Sequence, residues 1–462
     1  ALDFQADAWF LDGFAPARNP DMWLETTVAD IRAHSKPGTT LATFTSVGRV
    51  RRALADTGFE MEKVPGYGRK REMLRGVLPP VNAVRPPEQG PVAIIGAGIA
   101  GCTLAVNLAE RGVPVILVDA EGPGAGASGN AQGALYVKLG VDYNDQTELA
   151  LTALTFSQRF YRPFNGEGWY PTGLLQLAHN DQEANRQRRF LTRNSYPDDV
   201  LQAVNPEQAS TRTGIPVGAG GLWFPGSGWL EPARLCRALA GRPGITGVWH
   251  SPVEKLVPAA DGWQILLQGA EPLQARNVVI CGGANSAPLS PESGSLRLKS
   301  IRGQVTRLPA TGLTAPKAVI CGSRYLNPAL DGKVLTGATF DLHDNNAVPT
   351  PASHAENVRE LQAMLPEAFP SLAEPIEPNP GNTLSDDRVA FRCTTHDYQP
   401  VAGQLQAGLY LFTGLGSKGL TYAPLLAEYL ADKLTGQPGS LPANLVRRLE
   451  TGRLYQTNMA IS

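Results

Sequence analysis

The apolar run Val92–Ile95, followed at once by Gly96-Ala97-Gly98-Ile99-Ala100-Gly101, constrains this chain more than any other stretch. Its pattern predicts a strand, a glycine turn and a helix over Ile99–Arg111 that stops at Gly112. Each glycine answers a steric demand. The first permits the tight turn, the second lets backbone approach a pyrophosphate, and the third lets helix and strand pack closely. Free N–H groups at the helix start then face the phosphate charge. A second predicted strand, Pro114–Asp119, ends on an acid that can accept ribose hydroxyls. Gly96, Ala97, Gly98, Ile99, Gly101 and Asp119 are therefore candidate cofactor residues, set against the plainer reading of a structural turn and a surface acid. The pattern alone does not choose between FAD and NAD.

No charge interrupts Val92 to Ala109, but three glycines, a threonine and an asparagine lie inside it, so it is no membrane span. With 462 residues the chain has room for two or three domains, and a net charge of −1 gives no global attraction to nucleic acid. The five cysteines are widely spaced and form no CxxC pair, which points to a reducing cytoplasm and away from disulfides or zinc. The six histidines show no metal-ligand spacing, so no metal is expected.

The proline-rich stretch 78–91, LPPVNAVRPPEQGP, reads as a semi-rigid linker between a partial domain, 1–77, and a larger one, 92–462. In the first, strands are expected at Asp7–Asp12 and Thr40–Thr45, helices at Asp21–Ala33 and Val47–Ala55, and a closing hairpin at Phe59–Val64 and Arg71–Val77. Alternation of this kind implies part of a mostly parallel sheet. In the larger domain, a hairpin is expected around Asp261–Gly262, strands at Asn277–Cys281 and Leu409–Thr413, and a helix at Thr421–Leu434. The overall class is α/β.

Three further segments resemble the flavoenzymes of the glycine oxidase and D-amino-acid oxidase type. Gly124-Ala125-Gly126-Ala127-Ser128-Gly129-Asn130-Ala131-Gln132-Gly133 is similar to that family's loop beside the pyrophosphate and flavin ring, which implies cofactor roles for Ser128, Gly129, Asn130, Gln132 and Gly133. The segment Val279–Ser286 resembles the strand that returns to the dinucleotide, with Gly283 in its turn. Gly414-Leu415-Gly416-Ser417-Lys418-Gly419-Leu420 resembles the turn whose N–H groups meet the flavin edge, implicating Gly414, Gly416, Ser417, Lys418, Gly419 and Leu420. A helix start there would stabilise reduced flavin. Lys418 either adds its charge to that effect or is a solvated loop lysine.

The resemblance implies an FAD-binding Rossmann-like domain with an α+β substrate domain. It places Arg392 where the family carries its substrate-carboxylate arginine, a task that suits the planar guanidinium. The alternative is a structural arginine paired with Asp386 or Asp387. Arg302 is a second candidate near the ring. Cys393 stands where proline is usual, off the offset at which some relatives attach flavin, so FAD is expected to be noncovalent.

Asp7-Ala8-Trp9-Phe10-Leu11-Asp12-Gly13-Phe14-Ala15-Pro16, then Asn19-Pro20-Asp21-Met22-Trp23 and Gly66–Leu74, resemble the bifunctional tRNA 5-methylaminomethyl-2-thiouridine biosynthesis family, as does Ser128–Tyr136. In that family an S-adenosylmethionine-dependent class I methyltransferase precedes the flavin domain. Asp12 corresponds to the acid beside the target amine, or is structural. Because Ala1 begins inside a motif, the sequence is expected to be truncated within the methyltransferase half, with S-adenosylmethionine bound only by the full-length protein. The resemblance implies oxidative removal of a carboxymethyl group from the wobble uridine of tRNA, which the full protein follows by methylation. The rivals are an oxidase of free glycine or sarcosine and a non-catalytic tRNA-binding remnant. Arg49, Arg51 and Arg52, then Arg69, Lys70, Arg71 and Arg75, and lastly Arg186, Arg188, Arg189 and Arg193 are candidate contacts for tRNA phosphates.

Overall fold

The structure, a computed structural model, describes residues 4–68, 70–79, 90–290, 296–310, 314–369 and 384–455. It divides into two compact units, Ala1–Glu88 with Asp432–Pro442, and Gln89–Ala431 with Ala443–Ser462. Most of the proline-rich linker and Arg69 lie outside the described residues. The sequence reading assigned all of 92–462 to one domain, whereas Asp432–Pro442 groups with the first unit. There Asp432 closes its own turn, its carboxylate accepting from the Ser440 N–H at 3.0 Å.

In the first unit, β1 (Ala6–Leu11), α1 (Glu25–Ala33), β2 (Ser35–Thr43), α2 (Gly48–Asp56), β3 (Glu60–Pro65) and β4 (Glu72–Val77) follow in chain order. The sheet order is β1-β2-β4-β3. Only β1 and β2 pair parallel; β4 is antiparallel to both neighbours. This corrects the expectation of a mostly parallel sheet. The short turn after Pro65 forces β3 and β4 into a hairpin, and β4 then inserts beside β2. The helix expected over Asp21–Ala33 is also interrupted, because Leu24 is extended (ψ 156°) between a 3₁₀ turn at Pro20–Trp23 and α1. The apolar faces of α1 and α2 place Val28, Ile31, Val50 and Leu54 against Leu41, Phe59 and Leu78.

In the second unit, β5 (Val92–Ile95), α3 (Ile99–Glu110) and β6 (Val115–Val118) form the expected strand–turn–helix–strand. They belong to a six-stranded sheet whose central strands are β6, β5, Asn277–Ile280 and Leu409–Thr413, all parallel. These strands are almost wholly buried, which is why they read as continuous apolar runs. The register aligns Val118, Ile95, Ile280 and Leu411, so the four following loops emerge at one sheet edge. The antiparallel strands Val253–Ala259 and Gly262–Leu267 form the expected hairpin.

An eight-stranded sheet carries the substrate half. It runs from Gln202–Val204 through Gly221–Phe224, Leu174–Leu177, Val319–Cys321, Tyr325–Leu326, Lys333–Gly337 and Leu298–Pro309 to Arg388–Thr395. The helix Pro351–Met364 covers it, adding Val358, Leu361 and Met364 to a core with Leu308, Ile320 and Val334. Among the described residues no helix is long and apolar enough to cross a membrane, and no cluster of His, Cys, Asp or Glu could hold a metal ion.

Candidate active site

The glycine turn answers each steric demand made of it. Gly96 has φ +109°, and a Cβ there would sit 2.5 Å from the Cys281 carbonyl oxygen. A Cβ on Gly101 would lie 1.9 Å from the Gly96 oxygen, so only hydrogen fits between helix and turn. At Gly98 a Cβ would meet nothing closer than the Ser128 hydroxyl, 3.3 Å away, which leaves open space where a pyrophosphate would lie. That hydroxyl accepts from the Ile99 N–H at 2.9 Å, so an oxygen already occupies the start of α3 as an anion's would. Asp119 accepts from the Ala97 N–H at 2.7 Å and from the N–H groups of Glu121 and Gly122. It therefore braces the turn.

The Ser128–Gly133 loop is clamped by Arg388, which the sequence reading missed. Its guanidinium donates to the Asn130 side chain at 2.9 Å and to the carbonyls of Ala125 and Gly126 at 2.8 and 2.7 Å. Gly129 is glycine because a Cβ would lie 2.4 Å from this guanidinium, and a Cβ on Gly133 would meet Leu420 at 2.5 Å. Gln132 is fully buried; its amide donates to the Pro328 carbonyl while its Oε1 has no partner among the described residues. Buried hydroxyls of Ser286 and Thr394 likewise have no partner among the described residues. Such orphaned polar atoms around the glycine loops suit a large polar cofactor that would satisfy them.

Gly283, Gly414 and Gly416 all have positive φ, as their turns require. Gly416 donates its N–H to the Cys393 carbonyl at 2.8 Å, and Thr394 bridges to Leu415. These bonds splice the Gly414–Leu420 turn to the strand Arg388–Thr395. Ser417 is exposed, and Gly419 starts the helix Gly419–Thr435. Burial, helped by the nearby Lys138 ammonium, pushes the Lys418 amine below its ordinary pKa. Lys418 is thus no freely solvated loop lysine. Its charge has no described counter-ion, whereas Lys138 pairs with Glu183 at 2.9 Å.

Arg392 lies half-buried in the middle of the same strand. Of its five N–H groups only one finds a protein acceptor among the described residues, the Thr339 carbonyl at 3.0 Å from Nη1. Asp387 is taken up by His354, Gln304 and Thr306, and Asp386 by Lys333, so neither pairs with Arg392. The guanidinium lies over Gly303 on the neighbouring strand, where a Cβ would come within 2.6 Å of both terminal nitrogens. Tyr325, another residue missed in the sequence, places its phenol beside Arg392; burial pushes it up to about 12 despite that cation. Burial pulls the Arg392 pKa down, because desolvation penalises its charged form.

Arg302 is a correction. It is completely buried, and every N–H is occupied: Nε by the Asn346 carbonyl, Nη1 by Asp341 and Ser353, Nη2 by Gln304 and the Val348 carbonyl. With Asp344 also 3.3 Å from Nε, the group has no donor left for a substrate. It anchors the loop between Gly337 and Thr350. Arg302→Met should lower stability by about 3 kcal/mol through unpaired carboxylates, read as a fall in melting temperature. Flavin retention should survive, and an unchanged melt would refute the anchoring role.

Asp12 belongs to the first unit, exposed at the carboxyl end of β1 between exposed Phe10 and Phe14. Of the basic clusters, Arg75 pairs with Glu62, Arg186 with Glu183 and Arg193 with Asp142. Lys70 lies 3.8 Å from the Phe44 ring centroid. Arg49, Arg51 and Arg52 stand exposed on α2, and Arg189 on the helix Asp181–Arg193, without an ion pair among the described residues.

Glycine loops at the carboxyl edge of a parallel sheet, beside a second sheet bearing an arginine ready for an anion, define a flavoprotein oxidoreductase. Residues 91–433 match the model of the FAD dependent oxidoreductase family, and residues 1–79 that of an S-adenosyl-L-methionine-dependent methyltransferase family. The fold is shared with glycine oxidase from Bacillus cereus, at TM-score 0.63 and 21% identity over 80% of this chain and 100% of that one. The tRNA 5-methylaminomethyl-2-thiouridine biosynthesis bifunctional protein MnmC of Marinobacter nauticus is 59% identical over 100% of this chain and 74% of its own length. Its Chromohalobacter salexigens counterpart is 39% identical over 98% of this chain and 70% of its own. The chain belongs to the MnmC bifunctional protein family, with an FAD dependent oxidoreductase domain and a methyltransferase-type segment before it.

Proposed function

We propose that this chain removes the carboxymethyl group from a carboxymethylaminomethyl substituent on the wobble uridine of tRNA. The observation that carries the reading is Arg392, a half-buried guanidinium with one acceptor among the described residues, on the strand spliced to the Gly414–Leu420 turn. The substituent is a glycine unit attached through nitrogen, so its carboxylate matches the guanidinium fork, with the Tyr325 phenol as an added donor. Gripping that end fixes where the adjacent methylene lies and which of its hydrogens faces the cofactor.

FAD would be held by the Gly96–Gly101 turn, Asp119, the Arg388-clamped loop and the Gly414–Leu420 turn, and it supplies a two-electron hydride acceptor that dioxygen reoxidises. The methylene loses a hydride and the amine a proton, leaving a carbon–nitrogen double bond in the substrate. Water adds to that carbon, the C–N bond breaks, and glyoxylate leaves an aminomethyl uridine. Lys418 and the helix start at Gly419 would place positive charge where the flavin edge would lie, favouring its acceptance of a hydride. Cys393 is a poor point of covalent attachment, since its thiol is buried and that burial raises its pKa, so FAD would be held noncovalently. The exposed arginines of α2 and Arg189 are candidates for phosphate contacts, and Asp12 is the acid proposed for the methyltransferase half.

The test is to incubate the purified yellow protein with tRNA bearing the carboxymethylaminomethyl group, then to weigh the nucleosides. Aminomethyl uridine, with free FAD released by acid, is the expected result. Turnover of free glycine with no change in the tRNA would favour the small-amine oxidase reading.

A further inference from the structure

The segment between Gly337 and Thr350 pairs a rigid base with an unused aromatic tip. Arg302, fully buried, holds it through the Asp341 carboxylate and the carbonyls of Asn346 and Val348. The Asp341 N–H also donates to the Arg302 carbonyl at 3.0 Å. Phe340, directly before Asp341, nevertheless leaves 54% of its surface exposed. Its ring centroid is 5.8 Å from Arg392 Cζ, and the preceding Thr339 carbonyl accepts from Arg392 Nη1. This exposed phenylalanine on an anchored backbone sits beside the Arg392 guanidinium and joins no core cluster among the described residues.

We propose that Phe340 is the stacking platform for the uracil ring of the substrate, and so the residue that makes the site prefer a nucleoside to a free amino acid. This rests on the function proposed above and deepens it. Four single bonds separate the glycine carboxyl carbon from C5 of the pyrimidine, about 5 Å when extended. With the carboxylate on Arg392, the base is therefore tethered within reach of the Phe340 ring. A base drawn out of an RNA loop loses its stacking neighbours, and aromatic side chains replace them. A free glycine or sarcosine ends before it reaches Phe340 and gains nothing from it.

The experiment compares FAD-loaded wild type, Phe340→Ala and Phe340→Trp. The RNA probe is an anticodon stem-loop carrying carboxymethylaminomethyl uridine. The second probe is N-methylglycine, which has the same amine and carboxylate but no base; its binding is read from the flavin visible spectrum. One lost base–aromatic stack corresponds to roughly a 5- to 150-fold rise in KM for the stem-loop. Phe340→Ala should show that rise with kcat less affected, Phe340→Trp should restore the wild-type KM, and N-methylglycine affinity should match across all three. An unchanged KM in Phe340→Ala overturns the platform and leaves the proposed function standing. Weakening of N-methylglycine to the same extent also overturns it, since Phe340 would then act through Arg392. A wild type that never oxidises the stem-loop overturns the proposed function itself, and the platform with it.

Discussion

Arg392→Ala should lower kcat/KM for the modified tRNA by roughly 30- to 4,000-fold, the equivalent of 2–5 kcal/mol for a desolvated charge pair deprived of one partner. The loss is expected to be large because burial has already stripped water from the guanidinium, and one protein carbonyl is its only described acceptor. Arg392→Lys should recover only part of the rate, because a point charge cannot present two parallel donors to a carboxylate. Gly303→Ala offers a route that leaves the arginine in place. Its methyl would press within 2.6 Å of both terminal nitrogens and displace the fork. Steady-state kinetics with flavin content measured in parallel decide the matter. Normal turnover by Arg392→Ala with its flavin intact would remove Arg392 from substrate binding, and Arg302 could not replace it because its donors are spent.

Gly101→Ala should abolish flavin retention. The added carbon would fall 1.9 Å from the Gly96 oxygen, a backbone atom that cannot swing aside as a side chain can. Relieving the clash means moving α3 off the turn and opening the cradle, a cost of about 3 kcal/mol or more, hence at least a hundredfold in affinity. Gly98→Val is the informative contrast. Its Cβ meets only the Ser128 hydroxyl at 3.3 Å, so the apoprotein should fold nearly as wild type while FAD is refused for want of space. The ratio of 450 to 280 nm absorbance after gel filtration, with thermal melts of the apoproteins, separates the two. A Gly101→Ala protein that stays fully yellow would mean the turn is looser than its geometry shows.

The glycine turn was legible from sequence because its constraints are local. Positive φ, a tight turn and close helix packing must be met by the residues that make them, and glycine alone meets them. The buried parallel strands were legible for a similar reason, as both faces must be apolar. Arg388 and Tyr325 were not, because nothing beside them in the chain reveals their partners. Arg388 meets Asn130, a loop residue 258 positions away that only the tertiary fold brings near it. Arg302 shows the converse. An arginine two residues before Gln304 looks like any other polar strand residue, and only the returning loop carrying Asp341, Asp344 and Asn346 turns it into a buried anchor. The mixed sheet of the first unit was missed because strand direction depends on where β4 inserts, which composition does not encode.

The strand Arg388–Thr395 acts as a ruler. Arg388, Arg392 and Thr394 are separated by even steps and so share one face, with eight consecutive residues held in register against Leu298–Val305. The span from Arg388, which clamps the Ser128–Gly133 loop, to Arg392, the proposed carboxylate grip, is four residues, about 13 Å, and it belongs to the backbone. Point substitutions can therefore change what is gripped but not how far from the clamp the grip stands. Inserting one residue would turn the arginine to the opposite face, and only a two-residue step would restore the face at a longer reach. Redesign of this chamber for larger substrates should begin with strand length, and side-chain choice should follow.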